Sequence, residues 1–237
     1  MARWKSHGTT SNTVMTLVFL TTSIYRILGR NVYPLKSILE IVEYRYWLAQ
    51  TLKINSVFMN KKRMLDFLIC ELNRSNTQNV NVVEFGVAFG ETLKYLINRI
   101  EKNFKYHGFD TFTGLPKSWR GLPAGAISAN GHLPATNLPN IRFYKGLVKD
   151  TLNDSALATI FDTDPGVNLF IFDFDLFEPT LFAFRKIEPF LKKNDILYFD
   201  EAFDRDERII LENYVLSQER YCPMKASIFG IAFCVTS

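Results

Sequence analysis

The sequence predicts an α/β protein: a mostly parallel sheet with a C-terminal antiparallel hairpin, preceded by helices. Three observations predict it. From Asn79 onward, short apolar runs alternate with helical stretches, the pattern of βαβ units. The first of these runs passes through Gly86 and Gly90 directly into a helical stretch. Two later runs end in acidic residues, Asp173 with Asp175 and Asp200 with Glu201.

Residues 1–75 read as an N-terminal helical segment, a lid or oligomerisation device, and residues 76–237 as the domain that carries the site. Arg3 and Lys5 precede the apolar run Val14 to Leu20, which imitates a signal peptide. That run is broken by Thr21, Thr22, Ser23 and Arg26 and is too short to span a bilayer. A docking or oligomerisation helix fits it better, so a homo-oligomer is expected and membrane association is not. Pro34 suits a first helical turn, and Leu35, Ile38, Leu39, Val42, Tyr46 and Ala49 follow at helical spacing. Met64 to Leu72 is a second amphipathic segment.

Strands are predicted at residues 80–85, 105–109, 141–145, 169–172 and 196–199, with helices near 91–102, 156–161 and 178–191. Apolar runs at 225–231 and 232–236 are expected to close the sheet as a hairpin. Between Asp110 and Ile141 lie Gly114, Pro116, Gly121, Pro123, Gly125, Gly131, Pro134 and Pro139, which deny both helix and strand. A loop this long in a compact domain is more often functional than idle. It also leaves the carboxyl end of a strand, where open α/β sheets bind ligands.

Composition narrows the function. At 47% hydrophobic and 22% charged, the 237 residues have the balance of a soluble globular protein. The net charge of +4 is scattered, apart from Lys61-Lys62-Arg63 and Lys192-Lys193, so no basic stripe for nucleic acid appears. Cys70, Cys222 and Cys234 show no CxxC pairing, and their odd number fits no closed disulfide framework. They read as small hydrophobes in a reducing compartment, and a cytoplasmic location is expected.

Val82 to Thr92 reads as strand, glycine turn, helix, in which Gly86 and Gly90 allow a tight turn and a close backbone approach. The spacing G-x-x-x-G lacks the G-x-G-x-x-G that favours a pyrophosphate. Asp110 ends the next strand, 24 residues after Gly86, where an acidic side chain accepts hydrogen bonds from both ribose hydroxyls of an adenosine. Together these features indicate an adenosine-containing ligand without a pyrophosphate clamp, a description S-adenosylmethionine fits better than NAD.

Four segments, "VEFGVAFGETL", "GFDTFTGLP", "KGLVKDTL" and "DFDLFEPTL…FLKKNDILYFDE", fall in the order and at the spacing of the TylF/macrocin O-methyltransferase family, which the chain resembles over residues 60–237. The resemblance implies the Rossmann-like class I methyltransferase fold and S-adenosylmethionine-dependent methylation of a hydroxyl, in a sugar or glycosylated metabolite, with a divalent metal, usually magnesium. It further implies that Glu84, Gly86 and Gly90 lie under the methionine part of the cofactor and that Asp110 is the ribose ligand. Gly146, Leu147 and Val148 would meet the adenine edge, Asp173 belongs to both cofactor and metal sites, and Asp173, Asp200 and Glu201 would ligate the metal. Two departures stand out: Glu201 replaces a usual aspartate, and Lys193-Asn194-Asp195 replaces a Pro-Gly-Gly turn.

Chemistry points the same way. Asp173 and Asp200 are 27 residues apart, one strand-helix-strand step, so both acidic groups should emerge at one edge of the sheet beside Gly86. Carboxylates converging there repel unless a cation or protons compensate, and an all-oxygen set favours magnesium. The alternative is that Asp175 or Glu178 serves the following helix as a cap. For a general base the candidates are His132 in the long loop, Asp173 and Asp175; His7 lies in the N-terminal tail and His107 inside a strand, where packing is the ordinary role. Trp119, Phe112 and Leu115 would wall the cleft or pack the loop onto the domain. A catalytically silent S-adenosylmethionine-binding protein and an NAD-dependent oxidoreductase are the competing readings.

Overall fold

A computed structural model describes residues 33–161 and 166–237, and the chain divides into two compact units, Met1–Leu39 and Glu40–Ser237. The run Val14 to Leu20, read above as a docking helix, lies outside the described residues. Helix α1 (Tyr33–Thr51) begins in the first unit. The second unit contains α2 (Lys61–Arg74) and all later elements. Among the described residues no helix is long and apolar enough to cross a membrane.

Seven strands form one sheet: β1 (Asn79–Phe85), β2 (Asn103–Asp110), β3 (Ile141–Lys145), β4 (Val167–Phe172), β5 (Ile196–Phe199), β6 (Tyr221–Ala226) and β7 (Ile231–Val235). Their spatial order is β3-β2-β1-β4-β5-β7-β6. The first five are parallel, and β7 runs antiparallel between β5 and β6. This is the predicted class: a Rossmann-like, mostly parallel sheet with an antiparallel hairpin. The order reverses between β1 and β4, and at such a switch point two strands open a crevice at their carboxyl ends.

Helices α3 (Glu91–Ile97), α4 (Val148–Thr151), α5 (Asp154–Phe161), α6 (Phe177–Ile187) and α7 (Arg205–Ile210) complete the unit. Alternation along each strand divides its side chains between two cores. Val83, Phe85, Phe170, Phe172, Leu197 and Phe199 face one, with residues of α5 and α6; Val82, Leu169, Ile171 and Tyr198 face the other, with Met64, Leu68 and Leu72 of α2. Phenylalanine runs across the first core, with ring centroids 5.2 Å apart for Phe85–Phe172 and 4.5 Å for Phe172–Phe199. Helix α2 therefore belongs to the packing of the sheet.

The structure departs from the sequence reading at several points. Helix α3 ends at Ile97 because Asn98 leaves helical geometry at φ −97°, ψ 7°. The first hairpin strand lies at 221–226 instead of 225–231, because Ser227 turns the chain, its hydroxyl accepting from the N–H groups of Phe229 and Gly230. Pro223 hides this strand from a propensity reading; an edge strand tolerates it, with a register irregularity between Pro223 and Lys225. Cys222, expected as a small buried hydrophobe, is exposed. Asn194 adopts φ 74° in the turn before β5, and the Asp195 carboxylate accepts from the backbone N–H groups of Asn168 and Lys192.

Candidate active site

The chain leaves β1 through Gly86, at φ +98°. Its N–H donates to the Phe109 carbonyl of β2 at 2.9 Å, and the Asp173 N–H after β4 donates to the Phe85 carbonyl at 2.7 Å. A Cβ on Gly86 would stand 1.9 Å from the Asp173 carbonyl oxygen, so glycine is what lets the ends of β1 and β4 touch. Gly90, at φ +73°, opens α3, and there a Cβ would meet the Pro134 ring of the long loop at 2.8 Å. At both positions the missing Cβ makes room for protein atoms.

Asp110 holds this turn. One carboxylate oxygen accepts from the N–H groups of Val87 and Ala88, both at 2.8 Å, and the other from Phe112 at 2.6 Å. The same residue that ends β2 thus fixes both the glycine turn and the start of the long loop. Glu84 lies beneath, fully buried, accepting from the Tyr106 hydroxyl. Burial pushes its carboxyl up to about 8, against the pull of that hydrogen bond.

These groups line a cleft of about 850 Å³ at the carboxyl ends of the parallel strands. Glu84, Gly86, Asp110 and Asp173 contribute to its wall, as do Gly146, Leu147 and Val148 after β3. Gly90 does not, because it faces Pro134.

The acidic end occupies the same cleft, with a rearranged partnership. Asp173, Asp175 and Glu201 each bring a carboxylate oxygen within 4.8 Å of the others. Asp200, expected among the metal ligands, lies outside this trio: it accepts from the Tyr198 hydroxyl and from Lys61 Nζ at 2.6 Å. Asp175 takes φ 61°, a conformation aspartate reaches more readily than most residues. Burial, then the neighbouring Asp200 carboxylate, raises Asp173 to about 7 against the pull of Lys61. Burial together with Asp173 and Asp200 raises Asp175 to about 8. Glu201 is raised well above the carboxylate range by burial and by Asp200 and Asp175, and its Oε2 is buried with no hydrogen-bond partner.

Lys61 is the site residue that sequence reasoning missed. Its ammonium bridges Asp173 at 2.7 Å and Asp200 at 2.6 Å. Burial disfavours the ammonium, but Asp200 and Asp173 raise its pKa well above the ordinary lysine value. The connector before α2 delivers it: Phe58 donates to the Ala226 carbonyl, and Ile228 donates back to Phe58, pinning the segment to the β6–β7 turn. Asn60 then caps α2 by accepting from the Arg63 N–H at 2.9 Å. In sequence Lys61 looks like one member of a solvated basic run, and only the N-cap signal was there to read.

The long loop is ordered. Leu115 and Gly125 hydrogen-bond within it, Trp119 and Leu122 exchange backbone bonds, and Gly131 returns to the Phe112 carbonyl. Leu115, Trp119 and Ile127 face the cleft, whereas Phe112 is fully buried, edge-on against Phe143. Arg120 anchors the loop, donating to Glu40 and, at 2.9 Å, to Asp204, with its guanidinium 4.5 Å from the Phe203 ring centroid. His132, a candidate base, is exposed and is not among the cleft-lining residues, because the turn at Ala129 carries it outward. His107 is buried in β2, 3.1 Å from the Tyr144 hydroxyl.

The donor set fits a hard cation: it is all oxygen, it is crowded with like charge, and it includes the unpartnered Glu201 Oε2.

No protein-family model and no curated protein matches the chain. Among solved structures it is similar to the O-methyltransferase NovP, at a TM-score of 0.56 and 16% identity over 85% of this chain and 100% of that one. It is similar also to CalS11, a calicheamicin methyltransferase, at a TM-score of 0.54 and 19% identity over 84% of this chain and 91% of that one. A second CalS11 structure, of the apo TDP-rhamnose 3′-O-methyltransferase, gives 0.53 and 19% over 84% and 93%. The likeness is one of fold, and the fold is that of the Rossmann-like methyltransferases.

Proposed function

We propose that the chain is an S-adenosylmethionine-dependent O-methyltransferase acting on a hydroxyl of a sugar or another small hydroxylated metabolite, in a site that accepts magnesium. One observation carries the reading. At the switch point, the Asp110-clasped glycine turn and an acidic cluster share one cleft, joined where Gly86 abuts Asp173. The motif resemblance to the TylF/macrocin family and the fold shared with NovP and CalS11 support it.

When bound, S-adenosylmethionine supplies an electrophilic methyl and magnesium supplies charge that lowers the pKa of a hydroxyl. Asp173, Asp175 and Glu201 would hold the ion. Asp110 would accept from a ribose hydroxyl through the one acceptor direction that its three backbone bonds leave, on the oxygen that serves Phe112. Leu147 and Val148 would flank the adenine, and Trp119 with Leu115 would close the acceptor side and exclude water. Asp175, inside the cleft and ionised where it holds the ion, would take the proton of the acceptor hydroxyl on its other oxygen, while the acceptor oxygen would bond to the methyl carbon as the carbon–sulfur bond breaks and S-adenosylhomocysteine leaves.

Calorimetric titration of S-adenosylhomocysteine, with magnesium and with a chelator, tests the cofactor site, and a panel of hydroxylated acceptors then tests transfer. Micromolar binding, with turnover that falls on chelation, is the expected result. Absence of binding under both conditions rejects the reading and makes NAD the next ligand to try.

A further inference from the structure

We propose that Lys61 is the resident cation of the acidic cleft, a positioning residue that pairs Asp173 with Asp200 and confines a divalent ion to the side formed by Asp173, Asp175 and Glu201. The geometry is direct. One ammonium is bonded to Oδ2 of Asp173 at 2.7 Å and to Oδ2 of Asp200 at 2.6 Å, spanning the ends of two adjacent parallel strands. Asp200 is held a second time by the Tyr198 hydroxyl, so both of its oxygens are engaged. Asp173 is the shared member: its Oδ2 serves Lys61, and it is also within reach of Asp175 and Glu201.

An ammonium carries three donors in a compact charge, and two are used here. Lys61 itself lines the cleft, with its side chain about one-third exposed. The position is built: Phe58 is bonded on both sides to the β6–β7 turn and Asn60 caps the helix that Lys61 begins. Like charges that close raise the free energy of a second cation in the same cleft, so lysine and metal oppose each other through Asp173. The role in catalysis rests on the methyltransferase reading; the competition between the two cations does not.

The test is binding of Mn²⁺ alone, followed by calorimetry and by the metal's effect on the thermal midpoint, in the full chain. Lys61→Met should gain Mn²⁺ affinity at least about tenfold and show a larger metal-dependent rise in midpoint. Lys61→Arg, which keeps the charge, should stay near wild type. Lys62→Met, at an exposed neighbour, gives the effect of losing one positive charge nearby. If Lys61→Met does not fold, Lys61→Gln is read by the same criterion. Equal Mn²⁺ affinity in the neutral variant and wild type overturns the proposal, as does an equal gain in Lys62→Met. S-adenosylhomocysteine binding is measured in parallel: its absence from wild type defeats the methyltransferase reading while leaving the Mn²⁺ comparison decisive for Lys61.

Discussion

The α-carbon of Gly86 lies so close to the backbone of Asp173 that the two ends of the cleft are one structural unit. A methyl group at Gly86 would overlap the Asp173 carbonyl oxygen at 1.9 Å and would also sit at φ +98°. Gly86→Ala should therefore lose about 3 kcal/mol, combining left-handed strain with overpacking. Gly125 is the control: its φ is +83°, but a methyl group there would meet no atom within 4 Å. Gly125→Ala should lose only about 1 kcal/mol. Urea unfolding of both variants checks this, and equal losses would show that strain alone is at work.

The fold was legible because its central strands, β1, β4 and β5, are buried on both faces. Runs such as Leu169 to Phe172 are apolar at every position and end abruptly in acid. Parallel register then places the residue after each run at the same edge, which is why Asp173 and Asp200 could be brought together from spacing. Their partners were not legible. Whether Asp200 faces the cluster or Tyr198 depends on side-chain direction, and Lys61 enters from 139 residues away. The position of His132 was equally hidden, since it follows from the loop's internal hydrogen bonds. Asp175 enters the trio in place of Asp200, at a backbone conformation no periodicity encodes.

Asp110 should behave as both clasp and ligand. It accepts three backbone N–H bonds, and a charge-assisted bond is typically worth about 1.5–3 kcal/mol. Asp110→Ala should weaken S-adenosylhomocysteine at least about 100-fold and speed amide exchange at Val87, Ala88 and Phe112. Faster exchange with unchanged affinity would assign Asp110 to the clasp alone.

His107 makes a specific contribution to the pH dependence of stability. Burial first, then Arg142 and Lys105, lowers its pKa from 6.5 to about 4. Below pH 6.5 the unfolded chain takes up a proton that the folded chain refuses until about pH 4. Stability from this group is thus fully present above 6.5 and declines as pH falls through that window, by about 3 kcal/mol in all. Comparing denaturant unfolding at pH 7 and pH 5, His107→Gln should show a fall smaller than wild type by roughly 2 kcal/mol. An identical fall in both proteins would remove His107 from the account.

Arg120 should control the long loop without touching the cofactor side. Its guanidinium is shared by Glu40 and Asp204, all three side chains being largely buried, so Arg120→Met removes the cation that joins these two carboxylates. Breaking a buried pair from one side costs about 3–5 kcal/mol, which in a domain of this size lowers the thermal midpoint by roughly 10 °C. Arg120→Lys keeps the charge but cannot present the guanidinium fork, so its loss should be intermediate. Trp119, next in the chain and part of the cleft wall, would lose its fixed position, and limited proteolysis within residues 111–140 should accelerate in Arg120→Met. Asp110 and the glycine turn are held by separate bonds, so S-adenosylhomocysteine affinity should stay within about threefold of wild type, against the larger changes expected when a bonded partner is removed. A large loss of that affinity would mean that the anchored loop and the glycine turn move as one body.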